Sequence, residues 1–246
     1  MTRIRHLDRA PITEAIIDFR VQLPDSFRAE AFEPIQPALA KAYPVLEKQK
    51  LFEGGIRLSG EQVSQTTQDK GIHGFIFRNN EQGRVAQFRR NGFTFNKLRL
   101  YTDWEDVFGE AWRLWLEYVA IAQPLTVTRI AVRYVNHIAI PLPFNFPEFL
   151  TDPPTIPDGI PQMFTDFFKR VVVHDTESGL FVNIIQAIER KPDPTEVVFL
   201  LDVDAYAQEE HAPNSSALEP RFRQLHELKN RIFFGSITEK TAEMFE

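Results

Sequence analysis

Residues Thr126–Ile140 read TVTRIAVRYVNHIAI, and this stretch decides the fold. It is dense in β-branched and aromatic residues, and Pro141 stops it, so it reads as one long strand. Ala15–Leu23, AIIDFRVQL, has the same character and is stopped by Pro24. Phe19 and Tyr134 hold matching places in the two runs, 115 positions apart. The segments downstream of the two runs are alike as well.

After the first run, Phe27–Tyr43 carries Phe32, Ile35, Leu39 and Tyr43 at helical spacing. Pro34 and Pro37 confine the regular part to its second half. Strands are predicted at Lys50–Ser59, Gly74–Arg78, Arg84–Arg90 and Phe93–Tyr101, the last two joined by Asn91-Gly92. Asn-Gly between strand-like runs is the signal of a type I′ hairpin, because both residues tolerate positive φ. Thr102 with Glu105 three positions on forms a capping box. Trp104, Phe108, Ala111, Trp115, Tyr118 and Ala122 then make one apolar helical stripe, and Pro124 closes it.

After the second run comes a proline-rich stretch, Pro141–Pro161, with short helical pieces at its flanks near Phe146–Leu150 and Gln162–Phe168. Strands are predicted at Arg170–His174, Leu180–Glu189 and Glu196–Tyr206. A last helix, Leu218–Phe234, has Leu218, Phe222, Leu225, Leu228 and Ile232 on one face and Gly235 as its stop. The expected fold is therefore α+β, an antiparallel sheet with helices packed on one face. Two pseudo-repeated strand–helix–strands–helix halves, 1–124 and 125–246, form one compact unit. The duplicated curved sheet of the TATA-binding-protein type has this order, a likeness of fold that says little of function.

The chain has 246 residues, 43% hydrophobic and 25% charged, which is ordinary for a globular protein able to bury a sizeable core. Its 22 Phe against 3 Trp and 3 Met must mostly line that core or a sticky surface. A formal net charge of -6 argues against a protein that coats nucleic acid nonspecifically. The absence of Cys removes thiol catalysis, zinc–cysteine sites, iron–sulfur clusters and disulfides together, and fits a reducing cytoplasm. Glu14 and Asp18 interrupt the N-terminal apolar residues, and nowhere do enough apolar residues run together to span a bilayer, so a cytoplasmic protein without membrane association is expected.

Four stretches, APITEAIIDFRV, TRIAVRYVNHI, VVFLLDVDAY and LHELKNRIFFGSITEK, carry a resemblance over nearly the whole chain. The Pro-x-x-Glu-Ala start, the Arg-Tyr-x-Asn strand and the Phe-x-x-Ile-Thr-Glu end are its specific parts. Together they resemble a sporadically distributed bacterial and archaeal family of similar length with no assigned function. The resemblance supplies no catalytic residues. It implies genes that move between genomes, such as defence or toxin–antitoxin loci.

Several constellations could carry chemistry. Asp202 and Asp204, two apart on a strand, share a face and are weak metal-ligand candidates for a phosphoryl-transfer or nuclease site. The bland reading is a strand end with carboxylates solvated or paired to Arg. No Gly-Lys-Ser/Thr loop, Gly-x-Gly-x-x-Gly turn or His-Glu-x-x-His helix accompanies them, Ser59 and Ser236 lack a nucleophile elbow, and no cofactor is expected. His226 beside Glu227 and Lys229 reads as solvated or capping. Arg20, Arg129 and Arg133 lie on one sheet face if the two first strands pair centrally. They then form an anion-binding row or are bridged to Glu14, Asp18 or Asp202. With a two-residue turn at Asn91-Gly92, Arg90 opposes Phe93, Phe88 opposes Phe95, Ala86 opposes Lys97 and Arg84 opposes Arg99. Arg84, Arg90, Lys97 and Arg99 then surround Phe93 and its neighbours on a basic, aromatic face, a pattern that can track phosphates and stack bases. The competing reading packs those rings under a helix. The leading expectation is a non-enzymatic module that binds another protein. Nucleic-acid binding and metal-dependent phosphoryl transfer are the alternatives.

Overall fold

The computed structural model describes residues 2–59, 62–99, 101–143, 145–162, 166–189 and 195–246, with the backbone alone for 55–59 and 62–67. Nine strands form one antiparallel sheet: β1 (Ile12–Gln22), β2 (Val45–Ser59), β3 (Gln62–Asn79), β4 (Arg84–Arg89), β5 (Gly92–Leu98), β6 (Thr126–Pro141), β7 (Phe168–Asp175), β8 (Leu180–Glu189) and β9 (Glu196–Ala207). Their order is β2-β3-β4-β5-β1-β6-β9-β8-β7, so the two proline-stopped strand runs are neighbours near the sheet's centre. Phe19 opposes Ile130 and Arg20 opposes Arg129. Four α-helices are described: α1 (Gln36–Leu39), α2 (Trp104–Ala122), α3 (Leu218–Ser236) and α4 (Glu239–Glu243). Among the described residues no helix is long and apolar enough to cross a membrane.

Alternation along the strands divides the sheet's two faces. Ala15, Ile17 and Phe19 of β1, Ile130, Val132 and Tyr134 of β6, and Leu201, Val203 and Ala205 of β9 all point to the face covered by helices. Helix α2 lies over β5, β1 and β4, and α3 over β9 and β6. Both turn their apolar stripes to the sheet. Phenylalanine fills the space between. Phe19 stacks on Trp115 at 4.1 Å and lies 4.7 Å from Phe222 of α3. Phe88 meets Phe93 edge to face at 5.3 Å. Such rings bring a large apolar area with no polar group to satisfy, so the core holds most of the phenylalanine excess seen in the composition.

Several expectations shift. The hairpin between β4 and β5 pairs Arg89 with Gly92 and Phe88 with Phe93, so Arg90-Asn91 forms the turn and the expected register slips by two. Neither turn residue has positive φ. Gly92 is a strand residue instead. A Cβ there would lie 1.9 Å from the Phe19 carbonyl oxygen, so only glycine lets β5 approach β1. The turn is tied down on both sides, Arg90 N–H donating to the His73 carbonyl and Val21 N–H to the Asn91 carbonyl. The cap of α2 is Asp103, one residue later than expected, accepting from the Asp106 N–H at 2.7 Å. Helix α3 runs through Gly235 to Ser236. Pro34 sits inside a 3₁₀ turn, Ala29–Ile35, which leaves α1 short. The helical piece expected at Gln162–Phe168 falls partly on 163–165, outside the described residues, and Phe168 itself begins β7. Residues 62–73 form a strand where none was expected, extending β3 along β2.

Candidate functional site

Three surfaces of the fold could hold a site. The first is the sheet face away from the helices. Arg20, Arg129 and Arg133 do share it, because β1 and β6 pair antiparallel and their outward positions alternate in step. Each is engaged by a carboxylate. Asp18, nearly buried, accepts from Arg20 Nε at 3.0 Å, Arg129 Nη1 at 3.4 Å and the Thr94 hydroxyl at 2.6 Å, with Arg89 at 3.5 Å. Arg133 is bidentate to Asp202 at 2.8 and 2.6 Å, the strongest geometry such a pair can adopt. Arg129 also reaches Asp204 at 2.9 Å. Burial raises the Asp204 carboxyl, opposed by Arg129 and Arg133. Both oxygens of Asp202 and Oδ2 of Asp204 are thus spent on guanidinium groups. Among the described residues no cluster of three or more acidic or histidine side chains is arranged to hold a metal ion.

From this row an aromatic ladder crosses toward the sheet edge. The Arg129 guanidinium lies 4.6 Å from the Tyr206 ring centroid, Tyr206 stacks with Phe181 at 5.5 Å, and Phe181 with His174 at 4.3 Å. His174 belongs to β7, the terminal strand of the sheet. This strand is the second surface. Phe168 is 69% exposed and Val172 51%, and Val171 and Val173, on the opposite face, are exposed as well. A run of valines on an unpaired edge is what natural sheets otherwise blunt with charge, proline or cover.

The hairpin does not form a surface for stacked bases. Phe93, Phe88 and Phe95 lie in the core under α2, Phe93 with no exposure at all. Lys97 shares that interior face and donates to the Gln82 carbonyl at 2.6 Å, and burial lowers its ammonium pKa. Arg84 bonds Asp106 at 3.1 Å. Only Arg90, in the turn, and Arg99, beyond β5, are exposed. The apolar stripe of α2 needs these rings as its counterpart, which decides between the two readings of the hairpin.

The third surface is a cavity of about 630 Å³ between α2, α3 and the segment preceding β1. That segment is held in place by the chain's other end, Arg9 N–H donating to the Phe245 carbonyl and Arg5 bonding Glu246. Tyr134 and Asn136 of β6 form its floor, and Trp104 and Phe108 of α2 one wall. Lys229 of α3 is 5% exposed, its Nζ 3.6 Å from the Tyr134 ring centroid and donating to Asn230 Oδ1 at 2.6 Å. Burial lowers its pKa to about 7. His226 stacks on Trp104 at 4.1 Å, and burial, aided by Lys229, lowers its pKa to about 3. The Tyr134 hydroxyl donates to that of Tyr101 at 3.1 Å. His226 is therefore a packed, neutral ring and not a solvated or capping one. Lys229 was legible as an inward position: it falls seven residues after Phe222 and four after Leu225 on the stripe of α3.

Comparison of the chain with protein-family models, with curated proteins and with solved structures returns no match.

Proposed function

We infer that this protein is a non-enzymatic binding module whose partner is another protein, docked along edge strand β7. The observation that carries this reading is the exposure of Phe168, Val171, Val172 and Val173 on a terminal strand of the sheet. An incoming strand would satisfy the outer backbone groups of β7 and cover the valines, the mode known as β-augmentation. The net charge of -6 suits a basic partner. The family resemblance adds the setting, a mobile or defence-type locus in which a neighbouring gene encodes the restrained partner, and the lack of cysteine fits work in the cytoplasm.

We further propose that residues 1–124 and 125–246 are two copies of one unit, arranged as in the TATA-binding-protein fold. Outward from the β1–β6 pair the sheet runs β5, β4, β3 on one side and β9, β8, β7 on the other. Trp104 and Leu218, Phe108 and Phe222, Ala111 and Leu225, and Leu114 and Leu228 are inward positions of α2 and α3, each pair 114 apart. Among the described residues strand β2 has no counterpart in the second half, which leaves β7 as the terminal strand there.

The aromatic ladder favours a second reading, a single-stranded nucleic acid across the open sheet face, since stacked rings beside arginine are what such strands use. It would show as bound nucleic acid in the ultraviolet absorbance ratio of the purified protein. Val172→Lys tests the first reading. A lysine on an exposed edge position leaves the fold unchanged within about 0.5 kcal/mol. Retention of the partner should be lost, and retention at the wild-type level would refute docking on β7.

A further inference from the structure

We propose that the cavity between α2 and α3 binds a small aromatic monocarboxylate, its ring against Trp104 and Phe108 and its carboxylate on Lys229 Nζ. This site is independent of the β7 surface and of the reading that rests on it.

Lys229 presents a charge problem that the chain itself does not solve. Its amine is buried, and its partners among the described residues are a neutral amide oxygen and the face of Tyr134. A buried amine without a carboxylate is pushed toward its neutral form, and an anion beside it would hold it charged. Burial lowers its pKa, and among the described residues it forms no ion pair with a carboxylate. Yet Lys229 and Tyr134, whose ring its amine faces, both line a cavity large enough for a small organic molecule, in the range of known ligand sites. An anion placed there would supply the missing charge.

The surroundings narrow the class. The two other cations at the cavity, Arg5 and Arg223, are already held by Glu239 and Glu246 and by Glu219. Asp103, Glu105 and Glu227 also line the cavity, but all three are exposed to solvent, whereas the amine is buried. One buried amine matches one negative charge, and with those carboxylates near, a monocarboxylate fits where a phosphate dianion would be under-neutralised. The Tyr101–Tyr134 hydroxyl pair and Asn230 offer polar contacts beside the amine. The walls are flat rings, with Trp104 stacked on both Phe108 and His226, and a further ring joining this cluster suits an aromatic body over an aliphatic one.

Calorimetric titration with naphthalene-2-carboxylate and the neutral naphthalene-2-carboxamide, used as probes, tests the proposal. The wild-type chain should bind the acid saturably, one per chain, at least about tenfold tighter than the amide, as expected for a hydrogen bond to a charged group. Lys229→Met keeps the length of the side chain and removes its charge. It should bring the acid to the affinity of the amide and leave the amide unchanged. Gly109→Leu provides a second variant that does not touch the amine. Gly109 lies on α2 at the cavity, where an added Cβ meets nothing within 4 Å, and leucine favours helix, so the variant should fold and lose both probes. Absence of saturable binding in the wild type would overturn the proposal. So would equal affinity for acid and amide, acid binding indifferent to Lys229→Met, or binding unchanged in Gly109→Leu.

Discussion

Phe93 touches Phe19, Phe88, Trp115 and Tyr118 within one aromatic cluster. Phe93→Ala should therefore lower stability by about 3–5 kcal/mol, the cost of deleting a fully buried ring, measurable by denaturant unfolding. That such a ring is core was one of two readings open in the sequence. The structure chooses it because α2 brings a stripe that needs a partner. His226 titrates near 6.5 when unfolded but only near about 3 in the fold. Between these values the unfolded chain holds more protons, so stability falls as pH drops from about 6.5 toward about 3. His226→Phe keeps the stack on Trp104 and removes the titration. Its unfolding free energy should be flatter than that of wild type across that window, and parallel curves would show that His226 is not the group responsible. The stripe of α3 marked Lys229 as inward, but nothing in the sequence marked it or His226 as lining a cavity. Charged and titratable side chains are solvated by default, and only the packing of α3 against β6 reverses that.

At the scale of elements, the legible part of the sequence rests on period and punctuation. Strand β8 has the bounds that alternation predicts, Leu180–Glu189, and β6 ends at the expected proline. The stripe of α2 is buried at every position predicted for it. The extension of β3 through 62–73 was not legible. QVSQTTQDKGIH carries no apolar alternation, and what makes it a strand is its backbone pairing with the neighbouring strand β2. The Asn91-Gly92 turn misled for a different reason. Glycine was present for close approach of two backbones, and the same residue type serves both ends. Edge strand β7 was visible as a strand, but that it would be terminal and uncovered depends on the position of α3 over β9 and β6. Val172→Lys addresses the element directly, since it alters one outward side chain and leaves the β7–β8 pairing intact.

For the whole molecule, the pairing of β1 with β6 near the centre of the sheet organises everything else. It gathers Arg20, Arg129 and Arg133 on one face, sets α2 and α3 side by side on the other, and so creates the cavity at their junction. The sequence implied this only as a condition on how two distant strands meet, and strand order is not written in local pattern. The same order pushes β7 to the end of the sheet, where among the described residues its valines pair with β8 on one side only. Placing a photo-crosslinking phenylalanine at Val172, and in a second variant at Leu116, which is equally exposed at 51% on α2, separates a docking edge from general stickiness. With the gene at its native locus, docking on β7 predicts that a single basic protein is joined through position 172 and not through position 116. Crosslinks of equal yield from both positions, or crosslinks at 172 to another copy of this chain alone, would contradict it.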